Sequence, residues 1–192
     1  MNEHRVIALE GLDGSGKTTT GRMLAEQTDN TYFYCTQDNP LKKHRAFFDT
    51  KPIQLRFLYY VALSIVNHQK VESLSNSEDV FYDRTVISTI AYHSAFGLSK
   101  PWLNLVPPFL INQIDLIVYF TLDEEERIRR LESRPQHVLT NQSQDEKSVI
   151  RSTDIDREYR KQFNESTVFV SGNGKSPQQV VDELKVKFYE TK

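Results

Sequence analysis

The stretch Gly11-Leu12-Asp13-Gly14-Ser15-Gly16-Lys17-Thr18 decides the fold of this chain. It fits the pattern G-x-x-x-x-G-K-[ST], in which backbone N–H groups of a glycine-rich loop surround a phosphate. A short apolar strand at residues 5–9 precedes it and a helix is predicted over residues 18–27. Because the motif needs this strand–loop–helix context, we prefer a nucleotide site to a glycine-rich turn without a ligand.

Each part of the loop has a predicted task. Its backbone amides and the positive end of the following helix dipole favour a bound phosphate. Lys17 is predicted to reach the β- and γ-phosphates of ATP, and Thr18 to hold Mg²⁺. The predicted ATP-binding residues are those of the quoted stretch together with Thr19.

Length and composition restrict the class of protein. The chain has 192 residues, of which 26% are charged and 38% hydrophobic, and its formal net charge is -2. This length fits one domain with its own core over residues 1–192. The charge argues against a nucleic-acid partner, which needs a basic face. Since neither a membrane span nor a signal sequence is apparent, we predict a cytoplasmic protein that does not bind membranes.

Hydrophobic patterns predict alternating strands and helices along the whole chain. Further strands are predicted at residues 31–35, 80–82, 116–120 and 168–170. Further helices are predicted at 53–71, 88–95 and 154–163, after Asp123 and after Ser176, whereas residues 97–108 are predicted to be irregular. This alternation is typical of an α/β fold with a five-stranded parallel sheet and helices on both faces. Ligands of such sheets bind at the carboxyl ends of the strands.

Two charged residues follow the third strand at that edge. Asp83 is predicted to hold Mg²⁺ directly or through water, the alternative being a buried carboxylate that only caps the backbone. Arg84 is predicted to bridge the γ-phosphate of the donor and a phosphate of the acceptor, the alternative being a surface ion pair. Phosphoryl transfer depends mainly on positioning and on charge neutralisation, and these residue types supply both.

A family resemblance emerges at this point. The stretch from Glu10 to Thr19 resembles the P-loop of thymidylate kinases, and Asp83-Arg-Thr-Val-Ile-Ser-Thr-Ile-Ala-Tyr92 resembles the Asp-Arg motif of that family. The polar segment after the fourth strand, at about residues 133–150, resembles the family's lid. The three features together extend over nearly the whole chain. The resemblance implies a P-loop kinase that converts ATP and dTMP into ADP and dTDP with Mg²⁺ and that forms a homodimer.

The resemblance also implies how the acceptor is bound. Asp13 takes the place of an acidic residue that binds the 3′-hydroxyl of the acceptor sugar. Tyr92 takes the place of the aromatic residue that crowds the 2′ position and favours deoxyribose. Ser88 and Thr89 resemble polar residues of the acceptor site, and Tyr59 corresponds to the aromatic residue that stacks on thymine.

The catalytic arginine is assigned by the same comparison. Gly14 occupies a position that is basic in one subgroup of the family, so the chain resembles the other subgroup, in which the lid supplies this arginine. Arg130 and Arg134 are the two candidates, and Arg127 near the helix start is predicted to be structural. With Lys17 and Arg84, these candidates form the predicted catalytic set.

The chain departs from the family pattern in its acceptor site. Leu63 stands where the family has an arginine that bonds the base, and His93 replaces a glutamine or a small residue. The arginine that binds the acceptor phosphate has three candidates in this chain, Lys42, Lys43 and Arg45. These departures leave the reaction class unchanged but weaken the assignment of the acceptor base.

Three other functions compete with this interpretation. A related kinase acting on another nucleotide or on a deoxynucleoside is one, although deoxynucleoside kinases of this fold commonly use a glutamate after the second strand, where this chain has Asp38. A GTP-dependent switch would need Asn-Lys-x-Asp and Asp-x-x-Gly, which the sequence lacks. A relative that binds nucleotides without catalysis would explain Leu63, but the presence of Lys17, Asp83 and Arg84 argues against it.

Overall fold

The computed structural model describes residues 4–36, 38–133 and 149–190. Within these residues, one five-stranded sheet has the order β2-β3-β1-β4-β5, and all of its pairings are parallel. The strands are β1 Val6–Gly11, β2 Thr31–Tyr34, β3 Val80–Asp83, β4 Leu116–Thr121 and β5 Thr167–Ser171. The predicted parallel sheet is confirmed.

Helices connect the strands and follow the last one. They are α1 Lys17–Thr28, α2 Arg45–Asp49, α3 Ile53–Leu74, α4 Val86–Ala95, α5 Lys100–Leu103, α6 Pro108–Asn112, α7 Glu124–Glu132, α8 Val149–Arg160 and α9 Pro177–Lys185. A 3-10 turn, Pro40–His44, precedes α2, and a π-helical turn, Val186–Glu190, ends the described chain. In the described part of the chain, no helix combines the length and the apolar character that crossing a membrane requires.

The prediction that residues 97–108 are irregular is wrong only where two prolines lie at the start of short helices, α5 and α6. Pro101 lies in the first turn of α5, and Pro108 is the first residue of α6. Proline is tolerated there because the N–H that it lacks has no partner within the helix. The predicted cap of the last helix is confirmed, since Ser176 and Gln179 exchange the two hydrogen bonds of a capping box.

Both faces of the sheet are buried under helices. On one face, Ile7 and Leu9 pack with residues of α1 and α9 such as Leu24 and Leu184. On the other face, Ala8 packs with residues of α4 and α8. Burying each large aliphatic side chain contributes about 1.5–3 kcal/mol, and strands buried on both faces form nearly continuous apolar runs. This is why β1 shows no alternation of polar and apolar residues.

The order of the strands brings the functional segments together. In the pairing of β1 with β3, Leu9 lies opposite Asp83, so the loop after β1 and the Asp-Arg turn after β3 are neighbours. Gly11 begins the loop with φ +139, and a Cβ there would lie 2.5 Å from the carbonyl oxygen of Phe120. Only glycine allows β1 to approach β4 this closely at the point where the loop begins.

The predicted lid lies almost wholly outside the described residues. The gap from 134 to 148 contains Arg134, one of the two candidates for the catalytic arginine.

Candidate active site

The glycine-rich loop turns around the side chain of its own lysine. Lys17 begins α1 and is only 4% exposed. Its Nζ donates a hydrogen bond to the carbonyl oxygen of Leu12 at 2.8 Å and lies 3.5 Å from Ser15 Oγ. Gly16, with φ +99, places the start of α1 and its first N–H groups at the loop, as a phosphate site requires.

Arg127 fixes the outer side of this loop. Its guanidinium is buried, makes two hydrogen bonds of 2.7 Å to the Glu124 carboxylate, and donates to the carbonyl oxygen of Asp13 at 3.1 Å. Gly14 has φ +88, and a Cβ there would lie 3.0 Å from the Arg127 carbonyl oxygen. A basic side chain at position 14 would therefore be strained. These contacts agree with a structural role for Arg127.

Arg130 lies on the other side of the loop. Its Nε donates to Glu126 Oε1 at 2.8 Å, and its Nη1 would lie 3.7 Å from a Cβ added to Gly16. It lines a cavity that we call the loop cavity. The residues around this cavity are Gly14, Ser15, Gly16, Thr19, Thr20, Phe120, Arg130, Gly172, Lys175, Pro177 and Val180.

Asp83 has the contacts expected of a magnesium ligand. It is fully buried, and its Oδ2 accepts hydrogen bonds from Thr18 Oγ1 at 2.7 Å and from the Tyr32 hydroxyl at 2.6 Å. Its Oδ1 is buried without a hydrogen-bond partner. Mg²⁺ prefers carboxylate and hydroxyl oxygens and in nucleotide sites needs only one or two of them from the protein. The two predicted ligands, Thr18 and Asp83, therefore lie together and fit the ion.

Arg84 joins the loop to the Asp-Arg helix. It has φ +65, a left-handed conformation that is rare for arginine and is often found at functional sites. Its guanidinium makes an ion pair with Asp13, and its Nη1 lies 3.4 Å from the Tyr92 hydroxyl. The structure thus brings together three residues that the sequence assigned to the acceptor.

Glu10 is a site residue that the sequence analysis missed. It is fully buried, and it accepts hydrogen bonds from the Thr85 N–H and hydroxyl, from Ser88 Oγ and from the Tyr159 hydroxyl. Burial raises the pKa of this carboxyl, although the hydrogen bonds and Arg84 act against the shift. Glu10 ties the end of β1 to the start of α4 and so orients the turn that holds Arg84. An acidic residue at the end of an apolar strand was the available signal.

A second cavity lies beside Arg84, between α3 and α4, and we call it the helix cavity. Four predicted acceptor residues, Arg84, Ser88, Thr89 and Tyr92, line it. The remaining lining residues are Tyr34, Cys35, Thr36, Arg45, Tyr60, Leu63, Ser64, Asn67, Thr85 and His93.

Tyr59, the predicted aromatic residue for the base, does not line the helix cavity. Its ring stacks on Phe48, with 4.6 Å between centroids and 10° between planes, and its hydroxyl donates to the Leu41 carbonyl oxygen. The neighbouring Tyr60 lines the helix cavity instead, and its hydroxyl donates to Asp49 Oδ1 at 2.8 Å. Consecutive side chains of a helix point about 100° apart, so Tyr59 and Tyr60 face different surroundings.

The structure distinguishes among the three basic candidates for the acceptor phosphate. Arg45 lines the helix cavity and is held by Asp49, with 3.4 Å between Arg45 Nε and Asp49 Oδ2. Lys42 and Lys43 are exposed on the preceding turn and do not line the cavity.

Known proteins resemble this chain along nearly its whole length. The family model for thymidylate kinase matches residues 9–184. A probable thymidylate kinase of Methanococcus vannielii is 29% identical over 196 residues, which cover 94% of this chain and 93% of that protein.

Two solved structures share the fold. The thymidylate kinase of Candida albicans superposes with a TM-score of 0.76 at 21% identity, covering 97% of this chain and 92% of that one. The deoxyadenosine kinase of M. mycoides, solved with bound dATP, superposes with a TM-score of 0.66 at 14% identity, covering 96% and 98%. At these identities the two structures support the P-loop kinase fold.

Proposed function

The chain belongs to the thymidylate kinase family of phosphotransferases, and we propose that its two cavities bind ATP and dTMP on opposite sides of Arg84. The reaction transfers the γ-phosphoryl group of ATP to the phosphate of dTMP and yields ADP and dTDP. The observation that carries this arrangement is the convergence of Asp13, a residue of the phosphate loop, with Arg84 and Tyr92, which line the helix cavity.

The loop cavity is the proposed donor site. The loop amides, the N-terminus of α1 and Lys17 would neutralise the phosphates of ATP. Arg130, beside Gly16, is positioned to stabilise charge on the transferred group. Thr18 and Asp83 would hold Mg²⁺, which supplies further charge neutralisation when it is bound.

The helix cavity is the proposed acceptor site. Arg45 would bind the phosphate of dTMP from the α2 side, and Arg84 would contact the same phosphate from the loop side. Asp13 would take the 3′-hydroxyl, and Tyr92 would restrict the 2′ position. Tyr60 replaces Tyr59 in our proposal as the aromatic residue that faces the base.

The described residues favour a phosphate acceptor over a hydroxyl acceptor. The oxygen of a nucleoside monophosphate is already ionised, whereas the hydroxyl of a nucleoside needs a general base. Asp38, the acidic residue after β2, is exposed and paired with Lys70 at 3.1 Å. Glu10 is buried, and both of its oxygens accept hydrogen bonds. Neither carboxylate is placed to deprotonate a substrate hydroxyl.

An acceptor screen with ATP and Mg²⁺ tests the proposal. We expect phosphorylation of dTMP and no phosphorylation of thymidine or deoxyadenosine. The control is Asp38→Ala, which should retain the turnover of the unaltered chain because Asp38 lies outside both cavities. Turnover of thymidine without turnover of dTMP, abolished by Asp38→Ala, would establish a deoxynucleoside kinase instead.

We also propose that the chain forms a homodimer through α3. The side chains of Leu55, Leu58, Ile65 and Val66 are exposed, and their positions fall on one stripe of the helix. Sedimentation should give a dimer at micromolar concentration, and Leu58→Glu should convert it to a monomer. We also propose a cytoplasmic location, and the net charge of -2 argues against a nucleic-acid partner.

A further inference from the structure

His93 on α4 is a buried imidazole to which the proposed reaction gives no task. It is 4% exposed and lines the helix cavity. Its ring packs edge-on against Phe57, with 5.4 Å between centroids, and lies 5.8 Å from the ring of Tyr60. Among the described residues, its Nε2 is one of two buried side-chain atoms without a hydrogen-bond partner.

The contacts of the other nitrogen determine the chemistry of Nε2. Nδ1 lies 2.7 Å from the carbonyl oxygen of Thr89, and because a carbonyl oxygen only accepts, Nδ1 must carry the proton. Burial lowers the pKa of His93 to about 4, so the ring is neutral near pH 7. A neutral ring protonated at Nδ1 has a lone pair on Nε2. His93 therefore presents a hydrogen-bond acceptor and not a donor.

An unpaired acceptor of this kind has an energetic cost. A buried polar atom without a partner loses its hydration, and a hydrogen-bond donor placed against it would recover that loss. Leu63, on the facing helix, also lines the cavity and has no polar atom to offer. A ligand that brings an N–H group into the helix cavity would satisfy the acceptor on His93.

We propose that His93 reads the acceptor base, its Nε2 accepting a hydrogen bond from an N–H of the pyrimidine ring. This inference rests on the proposed dTMP kinase activity and adds a residue that determines its specificity. Thymine and uracil carry a hydrogen on N3, whereas N3 of cytosine is itself an acceptor and would face the lone pair of Nε2. The site should thus discriminate against cytosine, while the choice between thymine and uracil depends on other contacts.

Two variants and two substrates test this contact. His93→Leu removes the acceptor while keeping a side chain of similar volume, whereas His93→Gln offers an amide oxygen in its place. The substrates are dTMP and N3-methyl-dTMP, which lacks the N3 hydrogen. The control is His68→Gln on α3, since His68 bonds Gln113 and does not line the helix cavity.

The expected loss of activity depends on the side chain at position 93 and on whether the substrate carries a hydrogen on N3. In the unaltered protein, methylation of N3 should reduce kcat/KM by roughly ten- to a hundredfold, the value of one buried hydrogen bond. His93→Leu should raise the KM for dTMP by a similar factor, leave the KM for ATP unchanged and reduce the discrimination against N3-methyl-dTMP to a few-fold. His93→Gln should restore part of the discrimination against N3-methyl-dTMP, and His68→Gln should have the same kinetic constants as the unaltered protein.

Other results would separate a failure of the His93 contact from a failure of the proposed function. If the unaltered protein and His93→Leu both phosphorylate dTMP and discriminate equally against N3-methyl-dTMP, His93 does not read the base. The proposed function would then still stand. Failure of the unaltered protein to bind or phosphorylate dTMP overturns both. If His93→Leu does not fold, the ¹⁵N resonance of His93 Nε2 in the unaltered protein decides: it should shift on saturation with dTMP, and no shift refutes the contact.

Discussion

The loop cavity and the helix cavity are built in opposite ways. The phosphate-binding part of the loop cavity is one continuous stretch, residues 11–18, whose binding groups are mostly backbone amides. The helix cavity is lined by side chains from β2, α2, α3 and α4, from the segment after β2 and from the turn between β3 and α4. One region is a local structure, and the other exists only after distant segments have packed together.

This difference has consequences for binding and for specificity. Backbone amides provide the same donors whatever the side chains are, so the loop recognises phosphate in general. The helix cavity presents particular side chains, so a substitution there would change which base it accepts. Substitutions in the loop should thus affect catalysis with every acceptor, and those in the helix cavity should affect one substrate.

The largest effect is expected at Lys17. Lys17→Ala should reduce turnover at least about 10³-fold with any acceptor, because the donor phosphates lose a buried positive charge. The melting temperature should change little, since the contacts of Lys17 given above lie within its own loop. Steady-state kinetics with dTMP checks this, and activity near that of the unaltered protein would refute the assignment of the loop.

Arg84 connects the two regions, so its loss should affect both. Arg84→Ala should lower kcat/KM for dTMP by about 10³-fold, within the range reported for arginines that stabilise phosphoryl transfer. Arg84→Lys should recover only part of this, because the ammonium of lysine does not reproduce the planar, forked donors of a guanidinium. The measurement is kcat/KM for ATP and dTMP separately. A loss confined to ATP affinity would contradict the bridging role.

The adjacent tyrosines of α3 give a comparison within one helix turn. Tyr60→Leu should raise the KM for dTMP about tenfold and leave the KM for ATP unchanged, because Tyr60 lines the helix cavity. Tyr59→Leu should leave both KM values unchanged and lower stability by about 0.5–1.5 kcal/mol through loss of the stack on Phe48. Kinetics and thermal unfolding of both variants test this, and the reverse pattern would return Tyr59 to the acceptor site.

The smallest effect concerns pH. The folded chain holds the pKa of His93 at about 4 through burial, aided by Arg56, below the ordinary value of about 6.5. The unfolded chain therefore binds more protons below pH 6.5, and stability falls as the pH falls. We expect a loss of about 0.7 kcal/mol between pH 7 and pH 6 and of about 1.2 kcal/mol between pH 6 and pH 5.

The non-titrating variant His93→Gln isolates this contribution. The difference in unfolding free energy between the unaltered protein and His93→Gln should depend on pH only below about 6.5, as measured by urea unfolding at several pH values. A difference that stays constant from pH 7 to pH 5 would mean that His93 is not held neutral by its surroundings.

Much of the fold was predictable from local patterns. The five strands and most helices were located within a few residues, because buried parallel strands are continuous apolar runs. The error at residues 97–108 arose because Pro101 and Pro108 were taken as breakers, although each lies in the first turn of a helix. The lid, with Arg134, lies outside the described residues, so its catalytic arginine remains a prediction.

The residues of the candidate site also divide into those predicted from local sequence and those that depend on packing. The sequence by itself determined the phosphate loop, Asp83 and Arg84, because loop geometry depends on neighbouring residues and both motifs are continuous. Only the tertiary structure decided that Tyr60 rather than Tyr59 lines the helix cavity, that Arg45 is the basic residue there, and that Glu10 is buried beneath Arg84. The physical reason is that burial, helix rotation and contacts between distant segments arise from packing, which the linear order of residues does not display.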